Sequence, residues 1–170
     1  MERDILFSET QKFRMRWILI LLLGVNGIFI YGVIVQVFAG IPSGDKPMSD
    51  AGLIFVMLFL FAITFMLLSF RLDTEIKKDG IYVRFFPFHR KPKFYPWDNL
   101  AKVYVREYSP ILEYGGWGIR YGLFGKGNAY NMSGNTGLQL VFNNGKKLLI
   151  GTQKQNELEA VLSKLGQIKK

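Results

Sequence analysis

The chain has 170 residues, 49% of them hydrophobic, and its 22 Lys and Arg against 13 Asp and Glu leave a net charge of +9. It contains no Cys, which excludes a disulfide framework, a thiolate metal site and a lipoprotein anchor. The charge is unevenly placed: Arg71 onward carries 17 of the 22 basic residues and eight of the 13 acids, so the whole excess lies in the C-terminal part. A basic segment of that kind favours an anionic partner, a lipid surface or a nucleic acid.

Residues 1–16 are polar and mixed in charge, ending in Lys12, Arg14 and Arg16. Residues 17–39 follow without one formal charge, and residues 51–70 form a second such run. Both are long enough for a helix to cross a hydrocarbon core. The first is too long for the apolar part of a signal peptide and no small-residue cleavage site follows it, so it reads as a retained membrane helix. Trp17 sits at its entry, where an amphipathic ring favours the headgroup level. Basic residues flank the hairpin on its outer ends (Lys12, Arg14, Arg16; Arg71, Lys77, Lys78), whereas the connection 40–50 carries only Lys46. That asymmetry puts both termini in the cytoplasm and the Pro/Gly/Ser-containing connection, with Pro42, Ser43, Gly44 and Pro47, outside the inner membrane.

Within the first helix, Gly24, Asn26, Gly27 and Gly32 are small or polar residues of the kind that lets two membrane helices approach and hydrogen-bond. They serve either as plain packing positions or as a docking face for another membrane protein. Neither helix carries the charged residues that mark transport paths.

Residues 71–170 form one domain of about 100 residues. Thr74–Ile76 and Ile81–Phe86 flank Lys78-Asp79-Gly80, and Leu138–Phe142 and Lys147–Ile150 flank Asn143-Asn144-Gly145, two hairpin signals. Lys102–Arg106 alternates, with Val103 and Val105 on one face. These short strands predict an antiparallel sheet curled on itself. Leu158, Val161, Leu162, Leu165 and Ile168 then recur at helical spacing, with Asn156 and Glu159 placed as a capping box and with Lys164, Lys169 and Lys170 at the helix end.

The order of two membrane helices, a strand hairpin and Pro96-Trp97-Asp98-Asn99-Leu100 opening a strand resembles bacterial pleckstrin-homology-like (PH-like) membrane proteins. So do Tyr114-Gly115-Gly116-Trp117-Gly118-Ile119-Arg120, Ser133-Gly134 before Gly137-Leu138-Gln139-Leu140, and Ile150-Gly151-Thr152 leading into Glu157-Leu158. The resemblance implies a membrane α-helical hairpin plus a mainly-β PH-like barrel of about seven antiparallel strands, closed by a C-terminal helix. It brings no catalytic residues with it.

The densest local feature is residues 85–97, where Arg90, Lys91 and Lys93 interleave with aromatics that include Phe88, Phe94 and Trp97. At a bilayer interface such a tip sets cations on anionic headgroups, about 1 kcal/mol each, and rings at the acyl boundary. The plainer reading is a hairpin with aromatics in the core and solvated cations. A single-stranded nucleic acid also suits this composition, but the membrane tether argues against it. The glycine-rich stretch 115–137 has no Gly-x-Gly-x-x-Gly or Gly-Lys-Ser/Thr element, so it does not read as a phosphate loop. It reads as an excursion between strands from which Trp117, Tyr121 and Tyr130 pack back.

His89 is the only histidine, set among cations that disfavour its charged form. The acids of the excursion, Glu107 and Glu113, read as solvated or paired with Arg106 or Arg120. No acid–base set, nucleophile elbow, cofactor motif or metal cluster emerges. The expectation is therefore a binding protein, not an enzyme, without cofactor. It is an accessory or scaffold subunit engaging another membrane protein or its own copy, with an anionic-lipid sensor working through residues 85–97 as the alternative.

Overall fold

The computed structural model describes residues 5–12, 16–42, 45–122 and 125–168. Arg14, Ser43, Gly44, Lys169 and Lys170, named above as flanking charges and turn or helix-end residues, lie outside them. The chain divides into two compact units, Arg14–Ser69 and a β unit of Met1–Phe13 with Phe70–Lys170.

In the helical unit, α1 (Arg16–Val33) runs into a π-helical turn, Ile34–Phe38, and α2 spans Asp50–Ser69. Two segments, Trp17–Phe38 and Asp50–Ser69, are long and apolar enough to cross a membrane. Asn26 makes a polar contact between the helices: its Nδ2 donates to Thr64 Oγ1 at 2.9 Å and, within α1, to the Leu22 carbonyl at 2.7 Å. Gln36 Nε2 donates to the Met48 carbonyl and Asp50 Oδ1, so the π-turn is tied to the start of α2. Of the glycines expected at the contact, only Gly32 faces α2, with Leu53 methyls 3.7 Å from where a Cβ would stand. Gly24 and Gly27 have no such neighbour and are exposed. Asn26 and Gly32 together fix the phase of α1, and at 100° per residue Gly24 and Gly27 both lie about 140° or more from the direction midway between them.

The β unit begins where no strand was expected. β1 (Ile5–Lys12) pairs antiparallel with β2 (Arg71–Lys77), which continues through β3 (Gly80–Phe86) to β4 (Lys93–Pro96) in one four-stranded sheet. The side chains of β1 that turn inward are Phe7, Glu9 and Gln11. Two of the three are polar, so the apolar alternation that marks a half-buried strand is missing from the sequence. β2 and β3 show it plainly: Leu72 and Ile76, then Ile81, Val83 and Phe85, are all fully buried.

A 3₁₀ turn, Trp97–Asn99, leads into the second sheet. Its strands are β5 (Leu100–Glu107), β6 (Gly118–Gly122), β7 (Gly127–Asn131), β8 (Thr136–Phe142) and β9 (Lys147–Gly151), in the order β5-β8-β9-β7-β6. Short helix α3 (Pro110–Tyr114) precedes β6. The described residues thus hold nine strands in two separate sheets, not about seven in a closed barrel, and β7 runs parallel to β9. The added strands come from β1 and from the glycine-rich stretch, which folds into β6 and β7. Gly127 allows this: its φ is +82°, and a Cβ there would stand 2.4 Å from the Lys147 carbonyl oxygen.

The two sheets share one core. Phe7, Leu72, Ile81 and Phe85 of the first pack in the same cluster as Val103, Leu138, Leu140 and Ile150 of the second, and α4 (Gln155–Lys164) adds Leu158 and Leu162. Burying each large aliphatic side chain is worth roughly 2 kcal/mol. The expected capping box does not form: Lys154 is the N-cap, and the Gln155 side chain, not Asn156, bonds Glu159, at 3.1 Å. The turn before α4 is held instead by Glu9, which accepts from Thr152 Oγ1 and the Gln153 N–H.

Candidate functional site

The segment joining β3 to β4 turns on itself at His89. Its backbone N–H donates to the Phe85 carbonyl at 2.8 Å, and its Nδ1 accepts from the Phe85 N–H at 3.2 Å. Burial and the neighbouring Lys93 ammonium lower the pKa of His89. The imidazole is therefore neutral near pH 7 and, with Nδ1 accepting, carries its proton on Nε2.

The expected interface residues separate into three groups. Arg90 and Lys91 are exposed and make no ion pair among the described residues, and Phe88 beside them is 61% exposed. Phe88 also leans against Phe70 and Phe85, at centroid distances of 5.7 and 6.2 Å. Phe94 lies apart, stacked on Tyr82 at 4.7 Å while still half exposed. Trp97 does not belong to any surface. It is buried in the shared core, and its indole N–H donates to the Lys77 and Lys78 carbonyls, so it anchors the β2–β3 turn. Its place in the sequence, at the end of a basic-aromatic run, conceals that role.

Lys93 turns toward the second sheet, where its Nζ donates to Tyr130 Oη at 3.1 Å and lies 5.5 Å from the centre of that ring. It lines a cleft of about 490 Å³ at the seam between the sheets. One wall is aromatic, with Phe70, Phe85 and Phe88; the other is β6 with its approach, Trp117–Tyr121; Tyr130 lies between them. That volume is within the range of small-molecule sites. Arg120 stands in the β6 wall with its Nε donating to the Trp117 carbonyl at 2.8 Å. Among the described residues lining the cleft none is acidic, so Lys93 and Arg120 leave it with uncompensated positive charge.

Sequence reasoning misses Arg120, Tyr130 and Phe70 as parts of one site, because strands remote in the chain bring them together. Nor does Arg120 pair with the acids once considered for it. Glu113 is bidentate with Arg106, at 3.1 and 2.8 Å, and accepts from the Ser109 N–H. Arg106 chiefly, with Ser109 and Lys126 helping, lowers the Glu113 pKa against the opposing effect of burial. This cluster straps α3 to β5 beneath a small second core of Tyr108, Tyr114, Ala129 and Leu149. The excursion's remaining aromatics diverge: Tyr130 is buried and Tyr121 is 78% exposed.

Residues 1–167 match the model of a family of unknown function, DUF6141, and the chain belongs to that family. No curated protein matches it.

Proposed function

We propose that this member of a family of unknown function is a membrane-anchored, PH-like binding module that reads the anionic surface of the membrane holding it. The two apolar helices are its anchor, with both termini cytoplasmic, and the β unit is its reader. Two sheets packed on one core, with a C-terminal helix contributing Leu158 and Leu162, support the PH-like assignment. The observation that carries the lipid reading is the tip of the β3–β4 connection, where exposed Phe88 sits beside Arg90 and Lys91, both exposed and without an ion pair among the described residues. A ring for the acyl boundary and two cations for headgroups make a lipid-facing surface.

The test uses the absence of Cys from the chain. Pro92→Cys, exposed at the same tip, is spin-labelled in the full chain reconstituted into vesicles. Contact with a lipid-soluble relaxation agent is expected in vesicles containing phosphatidylserine, and its loss in Arg90→Gln/Lys91→Gln. A label that stays aqueous in every vesicle sinks the reading.

A second reading, an accessory subunit or self-associating scaffold, has one observation in its favour. Ile111 and Leu112 on α3 are 64% and 81% exposed. Cross-linking of the full chain to a copy of itself through single cysteines at these positions would support it.

A further inference from the structure

The tip accounts for Arg90 and Lys91 but not for Lys93 and Arg120, which line the cleft between the sheets. We propose that this cleft is a binding site for one amphiphile with a phosphate head, the phosphate held by Lys93 and Arg120 and the apolar part laid against the accessible rings of Phe70 and Phe88. The inference deepens the membrane-surface reading but rests on different cations, Lys93 and Arg120, and shares only Phe88 with the tip.

Four features of the cleft converge. Its two cations face no lining carboxylate among the described residues, so an anion meets no competing internal partner. Its donors are varied: an ammonium, a guanidinium suited to two phosphate oxygens, and a neutral imidazole whose Nε2–H has no hydrogen-bond partner among the described residues. Its lining also includes the aromatic hydrocarbon of Phe70 and Phe88, of no use to a bare inorganic anion. Finally, Phe70 directly follows Ser69, the last residue of α2, so the aromatic wall begins one residue beyond a segment apolar enough to cross a bilayer. A soluble phosphorylated compound shares the head chemistry, and the test separates the two sources.

The full chain, in neutral detergent, is titrated with dihexanoyl phosphatidic acid, with inorganic phosphate and with dihexanoyl phosphatidylcholine. Calorimetry follows binding, and Trp117 in the β6 wall supplies a fluorescence signal that Trp117→Phe should abolish. Saturable, one-to-one binding of the phosphatidic acid is expected, at least tenfold tighter than that of phosphate or phosphatidylcholine. Arg120→Gln should weaken it about tenfold and Arg120→Lys should restore most of it. Arg120 is exposed and, among the described residues, hydrogen-bonds only the Trp117 carbonyl, so an unchanged melting temperature should accompany both variants. Arg90→Gln/Lys91→Gln should leave cleft binding intact while abolishing tip contact with vesicles. Non-saturable binding, or binding indifferent to Arg120→Gln, overturns the proposal even if the tip experiment succeeds. Equal affinity for inorganic phosphate overturns the amphiphile and leaves a free-anion site. A wild-type tip that makes no contact with anionic vesicles, with cleft binding retained, overturns only the surface reading.

Discussion

Glu9 Oε2 accepts a hydrogen bond from Thr152 Oγ1 at 2.6 Å, joining positions 143 residues apart. Its other oxygen takes the Gln153 N–H at 2.8 Å, and next to it Gln11 Nε2 donates to the Gly151 carbonyl. The strand before the first apolar helix is thereby fastened to the turn that starts the last helix. Glu9 is only 6% exposed, so truncating it strands buried donors. Glu9→Ala is expected to cost about 1–3 kcal/mol, lowering the melting temperature of the full chain in detergent by about 5 °C or more. An unchanged melting temperature would reduce β1 to an ornament of the sheet edge.

The Arg106–Glu113 strap should make the β unit sensitive to acid. Glu113 titrates below the usual carboxylate range in the folded state. A depressed folded pKa contributes stability that is present above the unfolded value, near 4.3, and is lost as pH falls through the folded one. Wild type should therefore lose melting temperature between about pH 5 and 3 more steeply than Glu113→Gln, whose curve should be flatter and start lower. Parallel curves would show that the pair is energetically idle.

Gly127 tests the strand pairing in the glycine-rich stretch. Alanine there meets both a φ of +82° and the Lys147 carbonyl oxygen at 2.4 Å. The left-handed backbone alone costs about 1–2 kcal/mol, and the overlap adds to it by forcing β7 from β9. Gly127→Ala should unfold at lower temperature than wild type, whereas Gly134→Ala, with φ +79° but open space around it, should lose only the backbone part.

In the helical unit, Asn26→Ala removes a hydrogen bond to Thr64. Such bonds between membrane helices average about 0.6 kcal/mol, so a small shift in the SDS fraction that unfolds the full chain is expected. Gly24→Leu and Gly27→Leu should leave that fraction unchanged, since neither glycine faces α2. A larger effect at Gly24 than at Asn26 would contradict the phase of α1 described here.

The amino-acid sequence determined whatever depends on neighbours along the chain. Two charge-free runs are visible as composition, because any span of hydrocarbon must be matched by apolar residues one after another. The β2–β3 and β8–β9 hairpins are visible because their turns demand residues tolerant of positive φ, and α4 because its leucines recur every three or four positions. Tertiary structure alone decided where polar side chains found partners. β1 is a strand because Glu9 and Gln11 meet hydrogen-bonding groups from the far end of the chain, which no periodicity in Ile5–Lys12 announces. Trp97 is a core residue and Arg90 a surface one, although both belong to the same basic-aromatic run. The cleft exists only because β3, β4, β6 and β7 arrive at one seam. A site assembled from side chains of four strands has no local signature, since its spacing is set by the packing of two sheets and not by the order of residues.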